Sequence, residues 1–98
     1  MLYKFKSKNA GDVIMLDING RHLLGIIGKE PGPQGIIQPA DMQAAIEALE
    51  AAIAQEESIR DESGEPQGDD PGLRQRASPF IDMLRYNQKA GTPVVWGV

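Results

Sequence analysis

The side chains in this sequence that are best suited to acid–base chemistry are one histidine and two aspartates that precede it. His22 is the only histidine in the 98-residue chain, and a catalytic histidine needs a carboxylate to orient its ring. No acidic residue stands three or four places from His22, so a helix would not supply that partner. Asp12 and Asp17 would assist only if the fold brought them to His22 from other elements. The sequence therefore favours a structural or surface role for His22 over catalysis.

Residue types that bind metals or attack substrates are scarce. The chain has no cysteine, which excludes a thiolate nucleophile and a thiolate metal site, and a single histidine excludes a histidine-rich site. The stretch Asp17–Gly20 has aspartate, asparagine and glycine at a spacing too short for a calcium-binding loop. We therefore expect no catalytic residue, no metal and no cofactor, and we favour a non-enzymatic role.

A glycine-containing stretch, Gly25–Glu30, matches two phosphate-binding motifs in part. A P-loop would need glycine where Leu23 stands and serine or threonine where Glu30 stands. The GxxG clamp of KH domains would have to use Gly25 to Gly28, whose two central residues are isoleucine. Neither motif is satisfied, and the stretch is better explained as the end of a helix.

Basic residues near the two ends of the chain are the candidates for nucleic-acid contacts. They are Lys4, Lys6, Lys8, Arg74 and Arg76. If the chain ends meet in one sheet, these side chains would cluster and could bind phosphate groups. However, the segment from Gln55 to Leu73 carries seven acids and one base, a net charge of −6, against +2 for the rest of the chain. A solvated strand face with a solubilising Arg-Gln-Arg is the simpler interpretation.

The N-terminal residues predict a β-hairpin. Residues Leu2–Lys6 alternate, with Tyr3 and Phe5 on one face and lysines on the other, which is the period of a half-buried strand. After a polar turn, Val13–Leu16 is apolar on both faces, which predicts a central strand covered on both sides.

The C-terminal residues predict a further strand. Trp96 is the only tryptophan, and it stands two places from the carboxyl end in the stretch Pro93–Val98. Chain ends usually fray unless they pair in a sheet, and proline is tolerated at the first position of a strand. We expect this strand to join the N-terminal hairpin, with Val94 and Trp96 facing the core.

Three helices are expected between these strands. The first is short, Arg21–Ile27, because Asp17–Gly20 breaks the preceding strand and the glycine after Ile27 suits a helix end. The second begins at Pro39 and runs to about residue 57. The third begins at Ser78, with the serine as its cap and proline in its first turn, and it ends at Gly91. Apolar residues of the second helix form one stripe: Met42, Ile46, Leu49 and Ile53.

These elements predict the fold class. We expect an α+β protein, a single small domain over residues 1–98, in which a small, mainly antiparallel sheet packs with two or three helices. A flexible acidic insert is expected at about residues 57–73, because glycine, proline and acidic residues dominate there. The side chains expected to anchor the core are Tyr3, Phe5, Ile46, Leu49, Ile53, Phe80, Leu84 and Trp96.

Several stretches together resemble one protein family. They are LYKFKSK, GDVIML, IIGKEPGPQGII, the alanine-rich helix after QPADM, SPFIDMLR and PVVWGV, which span nearly the whole chain apart from the acidic insert. They are similar to a family of short bacterial proteins known as domain of unknown function 1840. The resemblance implies a small bacterial cytoplasmic protein and supplies no activity, cofactor or site residue.

The expected function follows mainly from the chemistry that the sequence excludes. We expect a small non-catalytic protein-binding or regulatory module whose partner is another protein or a second copy of the chain, the latter as a homodimer formed through an exposed sheet edge. The alternative is a nucleic-acid-binding protein that uses the five basic residues. No apolar run approaches the roughly 18 residues that a membrane helix needs, and no secretory signal is recognisable, so we expect a cytoplasmic location and no membrane partner.

Overall fold

A computed structural model describes residues 2–8, 10–63 and 72–97 of the chain. Its elements are β1 (Leu2–Lys6), β2 (Val13–Leu16), α1 (Asp17–Ile26), β3 (Gly35–Ile37), α2 (Pro39–Ser63), α3 (Gly72–Ala90) and β4 (Val94–Trp96). The strands form one antiparallel sheet in the order β2-β1-β4-β3, and the helices pack against one of its faces. The predicted α+β fold class is confirmed.

The N-terminal hairpin is present, but the position predicted for β2 is wrong. β2 pairs with β1 from Leu2↔Leu16 to Phe5↔Val13, and it lies at the edge of the sheet rather than at its centre. Only its core-facing residues pack against the helices, whereas Ile14 and Leu16 are exposed. A strand that is apolar on both faces is therefore covered on one face alone, within the described residues.

β4 lies inside the sheet and carries the buried Trp96. This residue is opposite Phe5 of β1 and opposite Gly35 of β3. Its indole Nε1 donates a hydrogen bond to the carbonyl oxygen of Gly32 at 3.1 Å, and the hydroxyl of Tyr3 donates one to the carbonyl oxygen of Pro31 at 2.9 Å. Two aromatic side chains thus fix the proline- and glycine-containing loop before β3.

β2 ends before Asp17 as predicted, but α1 begins at Asp17, four residues earlier than predicted, so Asp17–Gly20 is the first part of the helix. The Asp17 carboxylate lies in the first turn and accepts a hydrogen bond from Arg21 Nε at 2.9 Å. Gly20 is buried against the ring of Tyr3, where an added Cβ would lie 2.5 Å from Cδ2. This close approach to β1 offsets the poor helix propensity of asparagine and glycine. The helix ends before Gly28, whose φ is 80°.

α2 begins at Pro39 as predicted and continues to Ser63, beyond the predicted end near residue 57. α3 begins at Gly72, so the acidic insert predicted at 57–73 is helical at both of its ends. Its central residues, 64–71, lie outside the described part of the chain. The four residues of the predicted α2 stripe are all buried: Met42, Ile46, Leu49 and Ile53.

The predicted start of α3 at Ser78 is wrong, because two turns of helix precede it. The Ser78 hydroxyl donates to the carbonyl oxygen of Arg74 at 2.6 Å, and Pro79 lies inside the helix. The first turn is stabilised from another element, since Glu56 of α2 accepts a hydrogen bond from the Leu73 amide at 3.1 Å. Leu73 is itself buried, so packing on α2 offsets the interior proline.

Aromatic contacts link the sheet to α3. The Phe5 ring centroid lies 4.6 Å from that of Phe80 and 5.9 Å from that of Trp96. At the end of α3, the buried Asn87 donates to the carbonyl oxygen of Met83 and accepts from the Thr92 hydroxyl. The structure places all eight expected anchors in the core: Tyr3, Phe5, Ile46, Leu49, Ile53, Phe80, Leu84 and Trp96.

Candidate functional site

One face of the sheet is turned away from the helices, and we call it the open face. The strand registers pair Leu2 with Leu16, Lys4 with Ile14, and Lys6 with Val95, which is in turn opposite Ile36. Directly opposed residues of antiparallel strands point to the same side of a sheet. The open face is therefore formed by Leu2, Lys4, Lys6, Ile14, Leu16, Ile36 and Val95.

The open face is rich in exposed aliphatic side chains. The exposed fractions are 61% for Leu2, 60% for Leu16, 54% for Ile14 and 41% for Ile36. Four of the seven large exposed hydrophobic residues in the described part of the chain thus share one face. Scattered exposed apolar residues are ordinary, but Leu2, Ile14 and Leu16 are neighbours on β1 and β2, and a contiguous apolar group is typical of an interaction site.

The charged residues of the open face are both basic. Among its seven described side chains, Lys4 and Lys6 carry charge and no acidic residue is present. By contrast, the exposed side of α2 carries Asp41, Glu47 and Glu50. A basic and aliphatic surface therefore lies on a chain whose net charge is −4.

The open face continues into a shallow pocket at the end of β1 and the start of β4. The pocket has a volume of about 560 Å³, and it includes Lys6 and Val95 of the open face together with Lys8. The loop between α3 and β4 supplies its remaining wall through Gly91, Thr92 and Pro93. This pocket extends the apolar surface and adds a third lysine at its border.

The two arginines proposed for nucleic-acid contacts lie in different places: Arg76 lies beside aliphatic residues of the open face, and Arg74 does not. Arg76 borders a pocket of about 400 Å³ beside Leu2 and Ile14, at the β2 edge of the sheet. Arg74 lies in a groove between α2 and α3, where Glu57 accepts two hydrogen bonds from it at 2.7 and 2.9 Å. The hydrogen bond and the charge of Glu57 raise the pKa of Arg74 above its ordinary value. The five basic residues therefore do not all share one surface.

The candidate acid–base residues are not brought together. Asp17 forms an ion pair with Arg21 and borders a pocket of about 150 Å³ beside Tyr3. His22 borders a different pocket, formed with α2, and Asp12 is exposed before β2. Among the described residues, no group of three or more histidine, aspartate or glutamate side chains could hold a metal ion.

Comparison with known proteins gives one match. The family described as "Domain of unknown function (DUF1840)" matches residues 1–96 of the chain. The chain belongs to the DUF1840 family. No curated protein and no solved structure matches this DUF1840 chain. No helix within the described residues is both long enough and apolar enough to cross a membrane.

Sequence reasoning identified the two lysines of this DUF1840 surface but missed its aliphatic residues. Ile14 and Leu16 had been assigned to a strand covered on both sides, and Ile36 had been given no role. The signal was present in the hairpin itself, because a partner strand that pairs with β1 must place alternate residues on the lysine side. Which alternate set lies there depends on the register, and the structure supplies that register.

Proposed function

We propose that this DUF1840 chain works as a protein-binding module and that the open face of its sheet is the binding surface. The observation that carries the proposal is the exposure of Leu2, Ile14 and Leu16, each more than half exposed, side by side on one sheet face. Removing such surface from water contributes about 25 cal/mol for each Å² of apolar area. A partner that covered these side chains would gain this contribution without a rearrangement of the core.

The charge pattern of the face agrees with a protein partner. Interfaces commonly combine an apolar centre with polar residues that fix orientation. Here Lys4 and Lys6 lie among the aliphatic residues and can set the register of a bound segment. Two of the candidate acid–base residues, Asp17 and His22, border separate pockets, so this pair gives a catalytic role no support.

Nucleic-acid binding is the second candidate, and the shared position of Lys4 and Lys6 favours it. Against it, the neighbouring aliphatic side chains offer phosphate groups no hydrogen bond, and Arg74 is already held by Glu57. This candidate predicts binding of a fluorescent oligonucleotide that weakens steeply as salt rises. Charge reversal in the Lys4→Glu variant would abolish that binding.

The test is a pull-down from host-cell lysate, run with and without nuclease, in which bound proteins are quantified by mass spectrometry. The affinity tag is inserted at Gly64, because β1 begins at Leu2 and β4 ends at Trp96. Ile14→Thr is the test variant, since threonine is well tolerated in strands. Ile59→Thr is its matched control, because Ile59 is similarly exposed but lies on α2.

We expect specific partners to be recovered with the unmodified chain and with Ile59→Thr, and to be depleted with Ile14→Thr. Equal recovery with Ile14→Thr would show that the open face is not the binding surface. Material that disappears on nuclease treatment would instead favour the nucleic-acid candidate.

A further inference from the structure

The open face has an ordered arrangement of charge as well as an exposed surface. Its two lysines lie on β1, with Ile14 and Leu16 of β2 on one side and Val95 of β4 on the other. Ile36 of β3 lies beyond Val95 and extends that aliphatic side. The face is therefore a short basic line between two aliphatic borders.

We propose that the segment covering this face is an amphipathic helix of a partner protein, with acidic residues one turn apart and aliphatic residues beside them. This inference rests on the proposed protein-binding function and names the chemistry of the partner. Charge complementarity carries it, because the seven strand residues of the face include two lysines and no acidic residue. Asp17, which borders a pocket with Lys4, is paired with Arg21. Opposite charges across an interface favour the correct partner and its register.

The spacing of the lysines suits a helix. Lys4 and Lys6 are two residues apart on one strand, which separates their Cα atoms by about 7 Å. Carboxylates four residues apart on a helix are separated by about 6 Å along its axis. Two acidic side chains on successive turns can thus each meet one lysine.

The aliphatic borders suit the width of such a helix. Neighbouring strands lie about 4.8 Å apart, so β2 and β4 are about 10 Å apart across β1. A helix with its side chains is about 10–12 Å in diameter. Aliphatic residues on the two flanks of the helix would then meet Ile14 and Leu16 on one side and Val95 on the other.

Other occupants fit the face less well. A second copy that stacked its own open face on this one would bring lysines of both copies into one interface, where like charges repel. A phosphate backbone would bind the lysines but would cover Ile14 and Leu16 with charged oxygens. An anionic lipid surface would likewise bind the lysines and would place the charged oxygens of its headgroups over Ile14 and Leu16.

The experiment identifies what touches the face. Ile14 is replaced by the photoreactive amino acid p-benzoylphenylalanine, and Tyr86, an exposed residue of α3, is replaced in the same way as the control. The full chain is irradiated in host-cell lysate, and the cross-linked segments are sequenced by mass spectrometry. We expect the Ile14 site, and not the Tyr86 site, to capture segments with an excess of acidic over basic residues at helical spacing and with aliphatic neighbours.

Charge reversal supplies the second measurement. The double variant Lys4→Glu, Lys6→Glu should lower the cross-linking yield at the Ile14 site by at least about fivefold, since two exposed charge pairs change from attraction to repulsion. Lys89→Glu, at an exposed residue of α3, should leave the yield unchanged within about twofold. Circular dichroism establishes that each variant is folded before its yield is compared.

The possible failures are distinguishable. The Ile14 site, and not the Tyr86 site, could capture a protein segment that is neutral or basic, or one that belongs to a second copy of this chain. Either result would overturn the acidic-helix inference and leave the protein-binding proposal standing. An unchanged yield in the double charge-reversal variant would also overturn it. Capture of nucleic acid or lipid, or no capture specific to the Ile14 site, would overturn both proposals.

Discussion

Replacement of Gly35 by alanine tests how Trp96 is held in the sheet. The two residues are directly opposed on β3 and β4, and the indole ring lies over the glycine. A Cβ added at Gly35 would come within 2.7 Å of the indole Cε2 and closer still to Cζ2 and Cη2. Since carbon atoms do not pack at such distances, either the ring or the backbone of β3 must move.

The size of the effect can be estimated from the contacts that must change. Overpacking of this kind costs about 1–3 kcal/mol, and an indole displaced from Gly32 loses a hydrogen bond worth about 0.5–1.5 kcal/mol. Alanine also lowers the conformational entropy of the unfolded chain, which stabilises the folded state by about 0.4–1 kcal/mol and offsets part of this loss. We therefore expect the Gly35→Ala variant to lose about 2 kcal/mol of unfolding free energy.

The assay is urea unfolding followed by fluorescence, because Trp96 is the only tryptophan and reports directly on the perturbed contact. With the slope usual for small proteins, the midpoint should fall by about 1–2 M urea. Gly25→Ala is the matched control, since a Cβ there meets nothing within 4 Å and alanine favours a helix by up to about 1 kcal/mol. An unchanged or raised midpoint for Gly35→Ala would refute the placement of Trp96 over β3.

Three further substitutions test α3. Pro79 lies in the interior of the helix, so Pro79→Ala should raise the unfolding free energy by up to about 3 kcal/mol. Ser78 is not the cap of the helix, so Ser78→Ala should change the unfolding free energy by no more than about 0.5 kcal/mol. A loss of about 1 kcal/mol in Ser78→Ala would instead indicate that the helix begins there. Asn87→Ala removes the bonds to Met83 and Thr92 from a buried site, and it should lower the unfolding free energy by about 1–3 kcal/mol in the same urea assay. If the Asn87→Ala variant unfolds at the same temperature as the unmodified chain, the two hydrogen bonds of Asn87 do not contribute to stability as proposed.

Local patterns predicted the elements whose environment is decided within a few residues. The alternation around Tyr3 and Phe5 identified β1, and the apolar spacing in α2 identified its buried stripe. Trp96 was recognised as part of a strand because so large a side chain near a terminus requires a covering element.

Errors arose where a distant element decides the outcome. The first turn of α3 is stabilised by Glu56, which lies 17 residues before its partner Leu73, and no local signal in α3 itself reveals that bond. Likewise, Gly20 is tolerated in α1 because Tyr3 packs on it from β1. Helix starts that depend on such contacts cannot be located from capping residues alone.

The incorrect position of β2 concealed the candidate site. A strand that is apolar on both faces predicts burial on both, and this reasoning would remove Ile14 and Leu16 from any surface. In the structure, β2 is an edge strand whose second face is exposed among the described residues, so Ile14 and Leu16 lie on the surface that we propose for binding. Because folding gains little from side chains more than half exposed, Ile14→Thr should leave the unfolding free energy within about 0.5 kcal/mol of the unmodified chain. A loss of partner in a variant of unchanged stability would therefore report on the open face itself.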